Sequence, residues 1–484
     1  MVFDGFVSYE LMFTVLGFGA LVVYLLGREL EKYDLGKMSS AMLTLGIIGL
    51  SFLLLLFAPS ETTSLFAFNE FSKYVGAVIL GCSFLISLAS WGYSEIEYIP
   101  EYFALLSAST IGMLLIPIAN NLIVLYTAWE LMSIPAYALV ALKTNREEAT
   151  EAAFKYFIFG AISSALILYG MSIFYGVTGT LTIPSLIANL KSDWKVIEYI
   201  GIITLTAGFG IKVGIIPFHM WIPDTYQGAP LTVSTFLTTS SKNAGFGAIA
   251  KVLILGLTFT TLPVTSLLQF PVRNLLAILA LITMIGGNIF ALAQKNVIRM
   301  LAYSSITHAG YILVGITVAT FNKDGLTASL FHLLTYSFSD IAAFICAAFF
   351  LSLGAKTIDD YNGITDRSRF TSFIMTFALL SLAGVPGLAG FASKLFLFFA
   401  GIDGNMLWLS IALALNSAFS LGYYGRLIKR MFMHEGKWET SSESALPVSY
   451  IVVFVSSFVL VVILGVRPSL FVNLANNATD VLLS

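Results

Sequence analysis

Apolar runs of about one membrane thickness, separated by short polar links, fill almost the whole chain. They lie near 6–27, 39–58, 74–91, 102–118, 121–142, 152–175, 197–222, 230–257, 273–293, 299–320, 325–351, 371–401, 406–432 and 446–466. A membrane-crossing helix needs about 20 such residues. The runs do not alternate apolar with polar positions, which excludes a membrane barrel. The expected fold is therefore an all-α polytopic membrane protein of about 14 transmembrane helices. The longest polar-leaning link, 178–196, leaves no room for a separate soluble domain. The first run lacks a basic leader and a small-residue cleavage site, and reads as a retained span rather than a signal peptide.

Composition agrees and narrows the function. Of 484 residues, 58% are hydrophobic and 11% charged, against about 25% charged in soluble domains. A net charge of −2 gives no basic footprint for nucleic acid. Cys82 and Cys346 sit in apolar runs with no C-x-x-C spacing, so a disulfide framework, a zinc site and iron–sulfur ligation are all excluded. The partners of such a surface are lipids and other membrane proteins.

Lysine and arginine placement sets an orientation. With the N-terminus outside, the cytoplasmic links carry Arg28, Lys32, Lys37, Lys143, Arg146, Lys155, Lys295, Arg299, Lys356, Arg367, Arg369, Arg426, Lys429, Arg430 and Lys437. The opposite side carries Lys73, Lys191, Lys195, Arg273, Lys323 and Arg467, together with Lys251, whose assignment is ambiguous. The bias predicts a multi-pass protein of the cell's inner (plasma) membrane with both termini outside the cytoplasm.

Three lysines fall near the middle of spans: Lys212 in GFGIKVGIIPF, Lys242 in TTSSKNAGFG and Lys394 in GFASKLFLF. Glu130 joins them in LYTAWELMSIP. Each mid-span charge costs about 2.5–3.5 kcal/mol, so the four together cost on the order of 10 kcal/mol. Such residues mark ion paths unless they only fasten helices or snorkel to an interface. Chain breaks reinforce the first reading. Gly214 and Pro217 follow Lys212, and Gly384, Pro386, Gly387 and Gly390 precede Lys394. In a bilayer such breaks are tolerated where they are buried or line a watery cavity, and broken helices beside ionisable groups are a transporter pattern. The breaks fall in the seventh and twelfth spans. Their odd offset predicts two inverted five-helix repeats: helices 1–3 over 1–98, a first repeat over 99–258, a second over 259–433, and a last helix over 434–484.

Burial disfavours an ammonium and a nearby carboxylate favours it, so moving Glu130 relative to Lys212 would switch that lysine between holding and releasing a proton. Thr239, Ser240, Ser241, Thr307, His308, His332, Thr335, Tyr336, Ser337 and Asp340 are candidate supporting groups. Histidine titrates near neutrality and can relay protons, although a membrane histidine can equally bond two helices together. Asp340 reads either as a member of a hydrated path with His332 and Lys394, bridged by Tyr336 or water, or as a subunit-interface residue.

KVGIIPFHMWIPDTYQGAPLTVSTFL (212–237), RMLAYSSITHAGYILVG (299–315) and GVPGLAGFASKLFLF (384–398) closely resemble stretches of the antiporter-like subunits of respiratory complex I. Relatives of those subunits occur in multisubunit sodium/proton antiporters and membrane-bound hydrogenases. The resemblance covers essentially the whole chain. The end after span 14 and the HAGYILVG and LTYSFSDIAAF contexts look like the N-type subunit, and Lys394 stands where the M-type usually has glutamate. The resemblance implies a coupling pair at Glu130 and Lys212, a connecting lysine at Lys242, and an outward-leading residue at Lys394. It implies mainly structural roles for His219, Trp221, Pro223 and Asp224. The chain departs from the family in helix 11: it has His332 and Tyr336 where some relatives have H-x-x-x-H, and Asp340 where lysine or asparagine is common. The implied function is proton (or sodium) translocation within a redox-driven translocase of the NADH:quinone type. The iron–sulfur clusters, flavin or quinone would then belong to partner membrane-complex subunits. The alternative is a subunit of a cation/proton antiporter or membrane-bound hydrogenase.

Overall fold

The computed structural model describes residues 9–483 apart from 34, 94–95, 97, 143–146, 187–188, 190–194, 256–268, 437 and 439–445. Of the lysines and arginines used for orientation, Lys143, Arg146, Lys191 and Lys437 lie outside the described residues.

Continuous apolar runs become helices because lipid offers the backbone no hydrogen-bond partners. The first group is α1 (Tyr9–Glu31), α2 (Gly36–Phe57), a two-residue hairpin of β1 (Glu61–Thr62) and β2 (Ala67–Phe68), and α3 (Glu70–Gly92). Then come α4 (Ile99–Ile118), α5 (Leu122–Ala141), α6 (Glu147–Thr178), α7 (Lys195–Val213) and α8 (Trp221–Gly228). The next span is composite: α9 (Leu231–Phe236), a π-turn at Leu237–Ser241, α10 (Lys242–Ile249) and a second π-turn at Ala250–Leu255. The remainder is α11 (Gln269–Ala293), α12 (Val297–Ala319), α13 (Asp324–Ser352), α14 (Arg369–Ala383), α15 (Ala389–Asp403), α16 (Leu407–Met433), α17 (Val448–Val466) and α18 (Pro468–Leu483).

Among the described residues, 12 helices are long and apolar enough to cross a membrane. The composite α9–α10 span and the broken α14–α15 span are the two others that the sequence predicts. The first is rich in Thr, Ser and Lys, and the second is interrupted. Both predicted breaks are present. Gly214 ends the seventh span at φ +81°, and Gly384 and Gly387 separate α14 from α15 at φ +89° and +91°. These positive values suit glycine, which has no Cβ to clash.

Two features differ from the sequence reading. The first is α18, a helix beyond the last predicted span. Its PSLFVNLANNATDVLL sequence is too polar to read as a span, and it packs along α3 and α13. Lys323–Asp480 (2.5 Å) and Thr327–Thr479 (3.0 Å) tie it to α13. The second is Lys251, which is not an outer-surface lysine but is 1% exposed.

Lateral position follows burial. α1, α2, α6, α16 and α17 expose large apolar side chains such as Phe18, Phe57, Phe154 and Leu415, suited to lipid. Nearly every residue of α12 and α13 is buried. These two helices therefore form the centre of the molecule, surrounded by protein.

Candidate ion-translocation site

The central helices carry a chain of polar groups. At one side of it, Lys212 stands in the last turn of α7, where the Gly214 break leaves carbonyls without their helical partners. The indole N–H of Trp221 donates to one of these, Ile211 O (2.8 Å). Tyr156 stacks on Trp221 with centroids 4.8 Å apart, and its hydroxyl receives a hydrogen bond from Lys212 Nζ (2.8 Å). Lys212 also donates to Ser133 Oγ (3.1 Å). Glu130, half-buried one turn before Ser133 on α5, accepts from the Ser164 hydroxyl of α6. Glu130 and Lys212 thus belong to one cluster without an ion pair within 4 Å between them. Ser133 and Tyr156 hold the amine, and Ser164 holds the carboxylate. The pair that the resemblance implies is thus not in direct contact here, and each group is held by its own hydroxyls.

Lys242 is 2% exposed and begins α10, directly after a π-turn. Its amine donates to Ser305 O of α12 (2.7 Å) and to the Ser305 hydroxyl, and lies 5.2 Å from the centre of the Tyr336 ring. Thr238 donates to Ser305 Oγ (2.9 Å) and stands 2.5 Å from the Tyr336 hydroxyl, which donates to Asp340 Oδ2 (3.1 Å). Asp340 is fully buried, and its Oδ1 has no partner among the described residues. This corrects the sequence reading of Asp340. Its 0% exposure rules out the subunit-interface alternative. Tyr336 does bridge it, but toward Lys242 rather than toward Lys394. A cross-helix contact of this kind leaves no trace in sequence spacing. Glycine links the first two lysines: a Cβ added at Gly245, one turn beyond Lys242, would lie 3.9 Å from Lys212 Cγ.

The Tyr336 ring stacks on His308 (4.9 Å), and His308 Nδ1 lies 3.1 Å from His332 Nε2. His332 Nδ1 is 2.9 Å from Ser393 Oγ, which also accepts from Thr335 (2.9 Å). Lys394 follows Ser393 on α15. Its amine donates to Leu382 O (2.7 Å), Ala383 O (3.1 Å) and Ser417 Oγ (2.9 Å), and lies 4.7 Å from the centre of the Tyr311 ring. A cavity of about 380 Å³ lined by Gly384, Phe391, Lys394 and Ser417 opens beside it.

The residues of the 7–8 break serve structure. Asp224 accepts from Lys155 and Arg299, both at 2.6 Å, joining α6, α8 and α12. Burial alone would push its carboxyl up, but the hydrogen bonds from Lys155 and Arg299 outweigh it and hold the group below its usual 3.8. His219 stacks on Phe290, with ring centroids 6.0 Å apart.

Sequence reasoning missed Ser133, Tyr156, Ser164, Ser305 and Lys251. Four are common polar residues with no distinguishing signal. Lys251, in AIAKVLIL, could have been found from its flanking apolar residues.

Residues 119–420 match the family of NADH:quinone oxidoreductase/Mrp antiporter transmembrane proteins. NADH-quinone oxidoreductase subunit N of Heliobacterium modesticaldum is 35% identical over 462 residues, covering 95% of each chain. F(420)H(2) dehydrogenase subunit N of Methanosarcina mazei is 38% identical over 437 residues, covering 87% of this chain and 85% of that one. A chain of respiratory complex I from Thermus thermophilus superposes with a TM-score of 0.78 at 27% identity, covering 96% of this chain and 98% of that one. The chain, whose buried lysines, histidines and glutamate fit a proton-translocation relay, belongs to the family of NADH:quinone oxidoreductase and Mrp antiporter membrane subunits.

Proposed function

We propose that the chain carries protons across the cell's plasma membrane as the N-type subunit of a redox-driven, complex I-like assembly. One observation carries this reading. The polar groups from Lys242 through Ser305, Thr238, Tyr336, His308 and His332 to Ser393 succeed one another at hydrogen-bond or ring-stacking distance through the most buried helices of the molecule, and Lys394 is the next residue after Ser393. A scaffold would have no use for such a costly interior. Glu130, Lys212 and the hydroxyls between them form the input. Lys242 and Asp340 are the centre, and the two histidines lead to Lys394. Each lysine takes a proton on its amine nitrogen and gives one up. Electrons flow in partner subunits that hold the iron–sulfur clusters, flavin and quinone.

The two-repeat organisation, 99–258 and 259–433, has its own support. Asn121 caps α5 and bridges to Thr182, while Asn296 caps α12 and bridges to Thr357. The same number of residues separates the partners in both bridges. Each unit contributes one broken span with a lysine at the break. Because the second unit begins on the opposite face, the two are inverted, and both termini lie outside the cytoplasm on the lysine and arginine bias.

The decisive experiment is Lys242→Met in the whole complex reconstituted into vesicles. The side-chain volume is kept and the titratable group is lost. Protons moved per electron should fall while the complex still assembles, and an unchanged ratio refutes the relay. The family's antiporter branch supports a second reading, ion-gradient-driven sodium/proton exchange. That reading gains if transport persists without electron flow and requires sodium.

A further inference from the structure

The composite span contains a fourth buried lysine that the relay above does not use. Lys251 is 1% exposed and lies in the π-turn Ala250–Leu255. Among the described residues its amine has no hydrogen-bond acceptor and no carboxylate within ion-pair distance. Its neighbour is the Phe71 ring at the start of α3, 5.9 Å away. A lysine kept only to fasten two helices would hold an acceptor on the second one, since an unsatisfied amine in an apolar interior is costly.

Its place along the span supplies the second observation. Ser240, Ala244, Gly247 and Lys251 follow at i, i+4, i+7 and i+11, which sets them on one side of the helix. That side meets α3. Ser240 Oγ is 3.2 Å from Ser83 Oγ, and a Cβ on Gly247 would stand 3.6 Å from Val75. Thr110 of α4 donates to the same Ser83 hydroxyl at 3.4 Å. The seam therefore has hydroxyls at one end, next to Ser241 and Lys242. It has small residues along its length and an unpartnered amine at the other end. Both ends lie in π-turns, Leu237–Ser241 and Ala250–Leu255. Such turns concentrate at functional sites in helices.

We propose that this α3-facing seam is a second proton exit, running from the Ser83 and Ser240 hydroxyls beside Lys242 to Lys251, and from there to the face on which α3 begins. The proposal rests on the proton-carrying reading above. The proton leaves the Lys242 nitrogen, passes over hydroxyl and water oxygens of the seam, and binds the Lys251 nitrogen. It is then released to water beyond. One N–H bond breaks as another forms at each step, and no electron moves. Protons reaching Lys242 would thus have two outlets, this one and the branch through His308, His332 and Lys394.

The test uses the whole complex in vesicles, with assembly checked on native gels. Lys251→Met should lower protons moved per electron at least twofold, and Lys251→Arg, whose guanidinium keeps its proton, should not restore the ratio. Gly247→Leu fills the seam without touching a charge and should reproduce the Lys251→Met defect. An assembled Lys251→Met complex pumping at the wild-type ratio overturns the proposal, as does a Lys251→Met defect that an assembled Gly247→Leu complex does not share. If either variant fails to assemble, thiol labelling decides, in a Cys82→Ser, Cys346→Ala background carrying Lys251→Cys. Reaction with a membrane-impermeant methanethiosulfonate applied from the outer face supports the exit, and an inert thiol overturns it. Lys242→Met is the control: if that variant pumps normally, the proton-carrying reading itself has failed.

Discussion

Tyr336→Phe isolates a single hydroxyl in the middle of the relay. The ring makes two contacts that phenylalanine keeps, the stack on His308 at 4.9 Å and the approach of Lys242 Nζ at 5.2 Å. The hydroxyl makes two that phenylalanine loses, to Thr238 (2.5 Å) and to Asp340 (3.1 Å). A hydrogen bond to a charged acceptor contributes about 1.5–3 kcal/mol and one between neutral groups about 1 kcal/mol. The loss is therefore about 2.5–4 kcal/mol, and it falls on the one link that joins Asp340 to the Lys242 side. Thr238 keeps its bond to Ser305 (2.9 Å), whereas Asp340 loses its one described acceptor contact. Expressed in the proton-transfer step, such a loss slows it by about two to three orders of magnitude, at about 1.36 kcal/mol per factor of ten. The assay is proton uptake into vesicles containing the whole complex, normalised to electrons transferred. Assembly should survive because the packing of the ring is unchanged. A double-mutant cycle with Asp340→Leu sharpens the result, because groups acting through one bond are not additive. The double variant should pump no worse than the worse single variant. Wild-type stoichiometry in Tyr336→Phe, or strictly additive losses in the cycle, would refute the argument.

Two further predictions concern the frame. Asp224→Asn should lower the melting temperature at neutral pH by only about 1–2 °C, since ion pairs this exposed contribute about 1 kcal/mol or less. The wild-type carboxyl is held below 3.8, so its stabilisation is present above that pH and is lost as the pH falls below it. Melting curves of the two proteins should therefore converge in acid, and a constant offset across pH would contradict the assignment. Gly112→Ala should destabilise the protein by about 1–3 kcal/mol, because the new methyl group would press on the backbone of Leu131 and Met132 where α4 crosses α5. An unchanged melting temperature in detergent would show that α5 yields more easily than its packing suggests.

The spans and their breaks were legible in the sequence because hydropathy, glycine and proline act locally. Pro217 and Gly214 beside Lys212, and Gly384 to Gly390 before Lys394, announce interrupted helices without knowledge of any partner. Contacts between helices are another matter. Asp340 pairs through Tyr336 with groups on the composite span and α12, which are far away in sequence, so placing it beside Lys394 on the grounds of consecutive helices gave the wrong neighbour. The side-chain length of Tyr156, which lets it reach Lys212 from α6, likewise carries no local signature. Lys251 stayed ambiguous because it sits near the end of an apolar run, where lysines usually reach water. α18 was missed because its asparagines and aspartate dilute its apolar face below the level of a span.

The setting of Lys394 turns charge into mechanics. An ammonium has three N–H donors, and three acceptors surround it: Leu382 O, Ala383 O and Ser417 Oγ. Two of these are the carbonyls that α14 leaves open where Gly384 turns the chain. A neutral amine has two donors for the same three acceptors, so every departing proton strips one of them of its bond. The open end of α14 is thus held by more hydrogen bonds while the lysine is charged than when it is not, with Ser417 keeping its own bond to Ala383 O (3.0 Å) in both cases. The break in the helix and the charge on the neighbouring nitrogen are therefore coupled through the same carbonyls.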